Sequence, residues 1–276
     1  MRQKGQTLRG ATCASLVLLV TLAATPSPAQ QEDSDAPRRA FSLPIEVDFD
    51  FGAANGNAII NRYLPLVAVP VNEDWSLVNL TLAAIADAPG GITGQPGNPE
   101  PVAGGRVFGL TDLTDVVLFS RTRSEGFVWG IGPTLTLPTA TDDRLGSGKW
   151  LFGPTLRVVY RPGPWNLGAI ALNHWSVGGD SDRADVNQLL IRGTIRRELP
   201  SNWYFVYAPI ITANWNASSG EKWLVPLGGG FGKTFKLGPW QAALSVQAYG
   251  NVVRPDGAPD GLVRVGLVVP IPAPFR

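Results

Sequence analysis

Apolar and polar residues alternate along most of this chain in runs of about ten, the length a tilted β-strand needs to cross a bilayer. In Trp203, Phe205, Tyr207, Pro209, Ile211, Ala213 and Trp215 every second residue is apolar or aromatic, while Asn202, Tyr204, Thr212 and Asn214 belong to the other face. Around 150–160 one face reads Trp150, Phe152, Pro154, Leu156, Val158, Tyr160, and the opposite face carries Thr155, Arg157 and Arg161. Near 43–51, Ile45, Val47, Phe49 and Phe51 oppose Glu46, Asp48 and Asp50; near 186–198, Leu189, Ile191 and Ile195 oppose Gln188, Arg192, Thr194, Arg196 and Glu198. Period-two patterning predicts about twelve strands, near 43–51, 59–70, 75–86, 106–120, 126–137, 150–161, 165–176, 186–198, 203–214, 222–235, 240–251 and 262–271. The faces near 59–86 are mixed, with Arg62 and Asn79 hard to place. Asp112 and Asp115 differ in parity, which requires either a longer loop or a bulge.

A soluble sandwich shows the same alternation, so the connections and the aromatic residues have to separate the two architectures. Short links (71–74, 121–125, 162–164, 199–202, 236–239) alternate with generally longer ones (52–58, 87–105, 138–149, 177–185, 215–221, 252–261), as periplasmic turns and extracellular loops do in a transmembrane barrel. Trp75, Trp165, Trp203 and Trp240 open strands just after short turns, and Trp150, Trp175, Trp215 and Trp223 lie at the long-loop ends. With Tyr160, they form the aromatic girdles expected at two membrane interfaces. The expected fold is an all-β, antiparallel, up-and-down transmembrane β-barrel of about twelve strands, with long extracellular loops and short periplasmic turns.

Composition adds location. Arg2, Lys4 and Arg9, the apolar run Ala14 to Ala24, and Ser27-Pro28-Ala29 read as a secretory signal peptide over 1–29. A polar periplasmic segment (30–41) and the barrel domain (42–276) follow. The single cysteine, Cys13, falls inside the signal, so the mature chain makes no disulfide. No later stretch reaches the roughly 18 apolar residues of a transmembrane helix. A net charge of +1 and the lack of a basic stripe interleaved with aromatics give no reason to expect a nucleic-acid partner. The expected home is the outer membrane of a Gram-negative bacterium, and the expected partners are its lipid bilayer and a small-molecule solute.

Several ordered segments carry a family resemblance: Gly109-Leu110-Thr111-Asp112, the run from Gly132-Pro133-Thr134 to Thr139-Ala140-Thr141, Leu145-Gly146-Ser147-Gly148-Lys149-Trp150, Trp175-Ser176, Ile210-Ile211-Thr212-Ala213-Asn214-Trp215, and Trp223 to Gly228. In these the chain resembles the MetA-pathway-of-phenol-degradation type of Gram-negative outer-membrane "transporter", with Thr111 standing where a second Gly is expected. The resemblance implies a barrel that passes small, often aromatic or hydrophobic compounds. Outer-membrane barrels commonly finish on an aromatic residue; here Phe275 precedes Arg276, a displaced form of the signal by which the C-terminal strand engages the barrel-assembly machinery.

The chemistry-bearing residues divide into motifs and lumen charges. His174-Trp175-Ser176 with Asn187 looks like the His-x-Ser pattern of outer-membrane phospholipases, with His174 as base, Ser176 as nucleophile and Asn187 orienting the imidazole. Parity turns His174 and Ser176 inward, because Trp165, Leu167, Ala169, Ala171 and Trp175 make the better lipid face; inward polar lining is the plainer reading. The 227–234 segment, Leu-Gly-Gly-Gly-Phe-Gly-Lys-Thr, imitates a phosphate loop but leads into a turn, so its glycines serve close strand approach. Asp180, Asp182, Asp185, Asp142 and Asp143 lie in loops without a fixed metal-ligand spacing, and neither a metal nor a cofactor is expected. Glu46, Asp48 and Asp50 project inward from one strand, and Arg157, Arg161, Arg192, Arg196 and Arg264 from others. The expected arrangement is a basic wall opposite an acidic wall, favouring small anionic or aromatic solutes. A passive channel without a chemical step is the leading expectation. A lipid hydrolase using His174 and Ser176, and a filled structural or adhesive barrel, are the alternatives.

Overall fold

A computed structural model describes residues 40–89, 105–121, 126–238 and 240–271. The signal peptide, nearly all of the 30–41 segment, most of the 87–105 loop, and Phe275-Arg276 lie outside the described residues. The strands are β1 (Ala40–Phe51), β2 (Ala58–Tyr63), β3 (Leu66–Pro70), β4 (Trp75–Pro89), β5 (Arg106–Leu110), β6 (Leu113–Arg121), β7 (Phe127–Leu137) and β8 (Lys149–Tyr160). They continue as β9 (Trp165–Gly179), β10 (Asn187–Glu198), β11 (Trp203–Tyr207), β12 (Ile210–Asn214), β13 (Trp223–Leu237), β14 (Trp240–Val253) and β15 (Gly261–Ile271). Three staves are broken, as β2/β3, β5/β6 and β11/β12, so these segments build twelve staves.

Each stave pairs antiparallel with its neighbours in the chain, and β1 pairs with β15, which closes the wall. Closure is what lipid demands, since an open edge would leave a row of backbone N–H and C=O groups unsatisfied in hydrocarbon. The alternating residues sort as expected. Phe49, Trp150, Phe152, Leu156, Tyr160, Phe231 and Val246 are exposed on the outside, while Asp48, Leu151, His174, Gln247 and Arg264 are buried inside. The described fold is an all-β transmembrane barrel.

The breaks at Pro65 and Pro209 were not expected from alternation, whereas a bulge near Asp112 was one of the two readings that parity allowed; each has a local cause. Pro65 and Pro209 lack an N–H, so strand pairing is interrupted there. The wall stays closed because their carbonyls still accept, from Thr81 N at 3.1 Å and Gly193 N at 3.2 Å. Between β5 and β6 the register against β4 shifts by one residue, from Ile85↔Leu110 to Leu82↔Thr114. The bulge is there, yet it does not bring both aspartates inward: Asp112 and Asp115 keep opposite parity. Asp112 turns into the barrel mouth. Asp115 remains on the outer face, where Asn79 Nδ2 donates to both its oxygens at 2.9 Å and Thr81 Oγ1 donates at 2.8 Å. Asn79 is thus placed: it neutralises the local cost of a carboxylate on the lipid side.

The mixed faces near 59–86 also find their reason. The inner face of β4 is apolar (Val78, Leu80, Leu82, Ala84, Ala86, Ala88) because it meets other apolar groups rather than water. At the long-loop end that group is Leu145, carried in by the 138–148 loop and only 4% exposed. Asp112 holds this loop: its carboxylate accepts from Ala140 N at 3.1 Å, Ser147 N at 2.6 Å and Ser147 Oγ at 2.9 Å. Thr139 and Thr141 hydroxyls accept from Leu113 N and Leu110 N, each at 3.0 Å. Gly109 and Gly146 are required by this contact, because a Cβ on Gly109 would lie 2.1 Å from Thr141 Oγ1 and one on Gly146 would lie 2.4 Å from Asp112 Oδ1. The segments 109–112 and 139–148, separate in sequence, are therefore two halves of one clasp. Arg183 secures it from the next loop by donating to the carbonyls of Asp143 (2.8 Å) and Gly146 (2.5 Å).

Asp112→Ala removes the acceptor for three of these bonds. Trypsin cleavage after Arg144 in the folded protein should accelerate roughly tenfold or more, while the heat-dependent gel shift of the intact barrel is retained. Unchanged cleavage would show that the clasp does not depend on Asp112.

Candidate functional site: the barrel lumen

The lumen is neither filled nor evenly lined. A cavity of about 510 Å³ extends from Leu145, Asn251 and Pro259 at the long-loop end to Leu66, Arg161 and Val268 at the short-turn end. Its two sides differ in chemistry.

On one side the three carboxylates of β1 meet arginines. Arg264 lies directly across the β1–β15 seam from Asp48 and donates to both its oxygens, Nε at 2.7 Å and Nη2 at 2.8 Å. The remaining nitrogen, Nη1, donates to the carbonyl of Ala208 at 2.9 Å, a group turned inward by the β11/β12 break. Asp48 also receives Arg62, from the neighbouring β2. Glu46 lies 3.6 Å from Arg264 Nε and is gripped by both terminal nitrogens of Arg192, one of these bonds at 3.0 Å. Arg192 comes from β10, separated from β1 by β15, β14, β13 and the broken β11/β12 stave on one side and by more staves on the other, so this pair is a bridge across the lumen. Asp48 and Arg264 are almost wholly buried, and ions so placed are tolerated only when paired and hydrogen-bonded. Asp50 stands at the edge of the network with its Oδ1 lacking a hydrogen-bond partner among the described residues.

The expectation of a basic wall facing a separate acidic wall is therefore corrected. Arg264 belongs to the acidic side and neutralises it, Arg192 reaches that side from across the lumen, and Arg62 is a third cation that parity alone left unplaced. Arg196 is also engaged, donating to Glu198 at 2.6 Å and Thr234 at 3.1 Å while its guanidinium lies 3.6 Å from the centre of the Tyr204 ring. Arg157 and Arg161 on β8 and just beyond it line the cavity and meet no carboxylate among the described residues. Beside them the wall is apolar, built from Val78, Leu80, Leu82, Val116, Leu118, Ile170, Leu172 and Leu190.

His174 and Ser176 do face inward, but they do not form the hydrolase arrangement. Gly153 carries no Cβ to block β9, where such an atom would lie 2.8 Å from His174 Cα, and the imidazole lies across it with Nδ1 at 3.3 Å from Thr136 Oγ1. His174 Nε2 has no partner among the described residues. Ser176 Oγ instead exchanges bonds with the Val186 backbone, accepting at 2.6 Å and donating at 3.4 Å. Asn187 is on the other face of the wall, bonded to Asn173 at 3.2 Å, and cannot orient the imidazole. The glycines of 227–234 serve close approach, as expected: a Cβ on Gly228 or Gly230 would lie about 2 Å from a β14 carbonyl oxygen (2.0 and 1.9 Å). Of the loop aspartates, Asp185 pairs with Lys149 at 3.3 Å. Asp142 is chelated by Arg144, whose side-chain and backbone bonds hold the carboxyl down at about 2.

Outside, Trp150, Trp165, Trp175, Trp203, Trp215 and Tyr160 are exposed at the strand ends, and Trp75, Trp223 and Trp240 are half-covered by neighbours. Trp215 meets Trp223 edge-on at 5.6 Å. The short-turn belt has one more member than expected. Trp129 stands edge-on to Trp75 at 5.6 Å, and Trp75 stacks on Phe119 at 4.4 Å. Its parity with Phe127 and Ile131 was the available signal. Lys233 and Arg197 lie over Trp203 and Trp165, at 5.4 and 5.2 Å from the ring centres, where long cationic side chains can reach headgroups.

Arg264→Ala leaves Asp48 with Arg62 alone and the Ala208 carbonyl without its donor. The barrel should lose about 3–5 kcal/mol against urea unfolding in lipid vesicles. A loss below about 1 kcal/mol would mean that the buried network relaxes without cost.

No protein-family model matches the chain, and no curated protein matches it by sequence. By structure it is similar to the COG4313 outer membrane channel from Pseudomonas putida F1, with a TM-score of 0.57 and 13% identity over 86% of this chain and 97% of that one. It also aligns with the CymD monoaromatic hydrocarbon channel (TM-score 0.42, 10% identity, 85% and 88% covered). A further alignment is with the Ralstonia pickettii toluene transporter TbuX (TM-score 0.41, 9% identity, 91% and 95% covered). At these identities the likeness to the P. putida protein bears on the fold, and the other two are too distant to carry an argument. No family model bears out the narrower phenol-degradation name.

Proposed function

We propose that this barrel is a passive outer-membrane channel of a Gram-negative bacterium for small organic solutes, aromatic or otherwise hydrophobic ones among them. The observation that carries the reading is the cavity: its lining includes residues near both ends of the barrel, which supports a path through the lumen over a packed core. The ion-pair network occupies the β1 side and narrows what remains, while the leucines, valines and Ile170 of the apolar cluster suit apolar solutes better than bulk electrolyte. The exposed apolar belt and its girdles support insertion in a bilayer, with short turns toward the periplasm and long loops outside. Export by the 1–29 signal and assembly through the C-terminal strand complete the proposal. The interlocked Ser176 and outward Asn187 give the hydrolase reading no support, and no cofactor is invoked.

The mature chain refolded into planar bilayers should give discrete single-channel steps of small conductance, with a weak anion preference in a salt gradient. Replacing Arg157 and Arg161 with Gln should shift the reversal potential toward zero or toward cations. A correctly folded barrel that stays silent would overturn the channel reading in favour of a filled barrel.

A further inference from the structure

The arginines of the lumen are not equivalent. Arg62, Arg192, Arg196 and Arg264 each reach a carboxylate, whereas Arg157 and Arg161 have none among the described residues and repel each other. They project inward at and just beyond the short-turn end of β8, with inward Val159 between them. Arg157 stands opposite Ile170 of β9, and between the two arginines Val159 stands opposite Gly168. Gly168 gives this place a recessed floor: a Cβ there would meet nothing nearer than the Val158 carbonyl oxygen at 3.6 Å. Gly168 is therefore not demanded by packing against the wall, and the space above it belongs to the cavity. Immediately beyond Ile170 the apolar cluster begins, with Leu172 and Leu190 beside it and Leu80 and Leu82 packed into the same group.

Two forked cations beside an empty recess suit an anion, and the leucine-lined wall beside them suits a hydrocarbon body. An inorganic ion would use only the first feature and a neutral hydrocarbon only the second. We propose that Arg157 and Arg161 bind the carboxylate head of an amphiphilic solute above Gly168, with its apolar tail along Ile170, Leu172, Leu80 and Leu82. This names the substrate class, organic carboxylates of medium size, for the passage proposed above and rests on that reading. The carboxylate supplies the counter-charge that β1 spends on Arg62, Arg192 and Arg264.

The test uses the mature chain in lipid nanodiscs, with radiolabelled octanoate in equilibrium dialysis and empty nanodiscs subtracted. Octanoate should bind saturably and compete about tenfold better than octanamide, which has the same tail without the charge. The R157Q/R161Q double variant should lose that preference. Gly168→Leu, which fills the recess and keeps both charges, should lose octanoate binding as well. Heat-dependent gel mobility establishes that each variant is folded. Equal competition by octanamide and octanoate, or a preference that survives R157Q/R161Q, would overturn the inference. The two failures separate: pores without the charge preference remove the carboxylate site alone, whereas the preference in a protein silent in planar bilayers removes the passage and leaves a closed binding pocket.

Discussion

The structure depends on one closure. A sheet in lipid cannot keep an edge, so β1 must meet β15, and the register of that seam decides which side chains face hydrocarbon. Asp48 and Arg264 stand directly opposite each other at the seam and are joined by two charge-assisted bonds. A slip of one residue would turn Glu46, Asp48, Asp50 or Arg264 toward lipid, where each charge costs several kcal/mol, about as much as the pair gains by meeting. The ion pair thus specifies the closing register more than it adds stability.

From that seam the lumen acquires its asymmetry. Once Asp48 holds Arg264 and Arg62, and Glu46 holds Arg192 from across the barrel, the β1 side is balanced and crossed by a bridge. Among the described residues the β8 side keeps Arg157 and Arg161 without counter-ions, and the β4–β9 wall gathers its leucines into one apolar cluster. A barrel of twelve staves lies between those filled by side chains and those wide enough for a free aqueous channel. Here the ion pairs do the partial filling, and the inward clasp of Leu145 narrows the long-loop end.

Much of this was legible in the sequence because lipid imposes a strict two-residue period. Strand positions, the inward parity of His174 and Ser176, and most of the girdle follow from residues such as Trp150, Phe152, Leu156 and Tyr160. The breaks at Pro65 and Pro209 were signalled by the prolines themselves, and the bulge by the clash of parity between Asp112 and Asp115. What alternation cannot express is contact across the lumen. Glu46 and Arg192 are 146 residues apart and share no strand pair, so their meeting depends on the curvature of the closed wall. For the same reason the clasp between Asp112 and Ser147 looked like two unrelated motifs, and β4 looked ambiguous until Leu145 supplied the apolar partner for its inner face.

The Glu46–Arg192 bridge spans the lumen, and on the channel reading it narrows the passage more than the wall does. Single-channel conductance of the Glu46→Ala/Arg192→Ala variant against the parent tests it most directly, because the substitution removes both halves of the bridge and leaves no orphaned charge between them. Discrete steps of clearly larger conductance are expected, with Asp48 and Arg264 still closing the seam. Steps of unchanged size from a folded variant would contradict it.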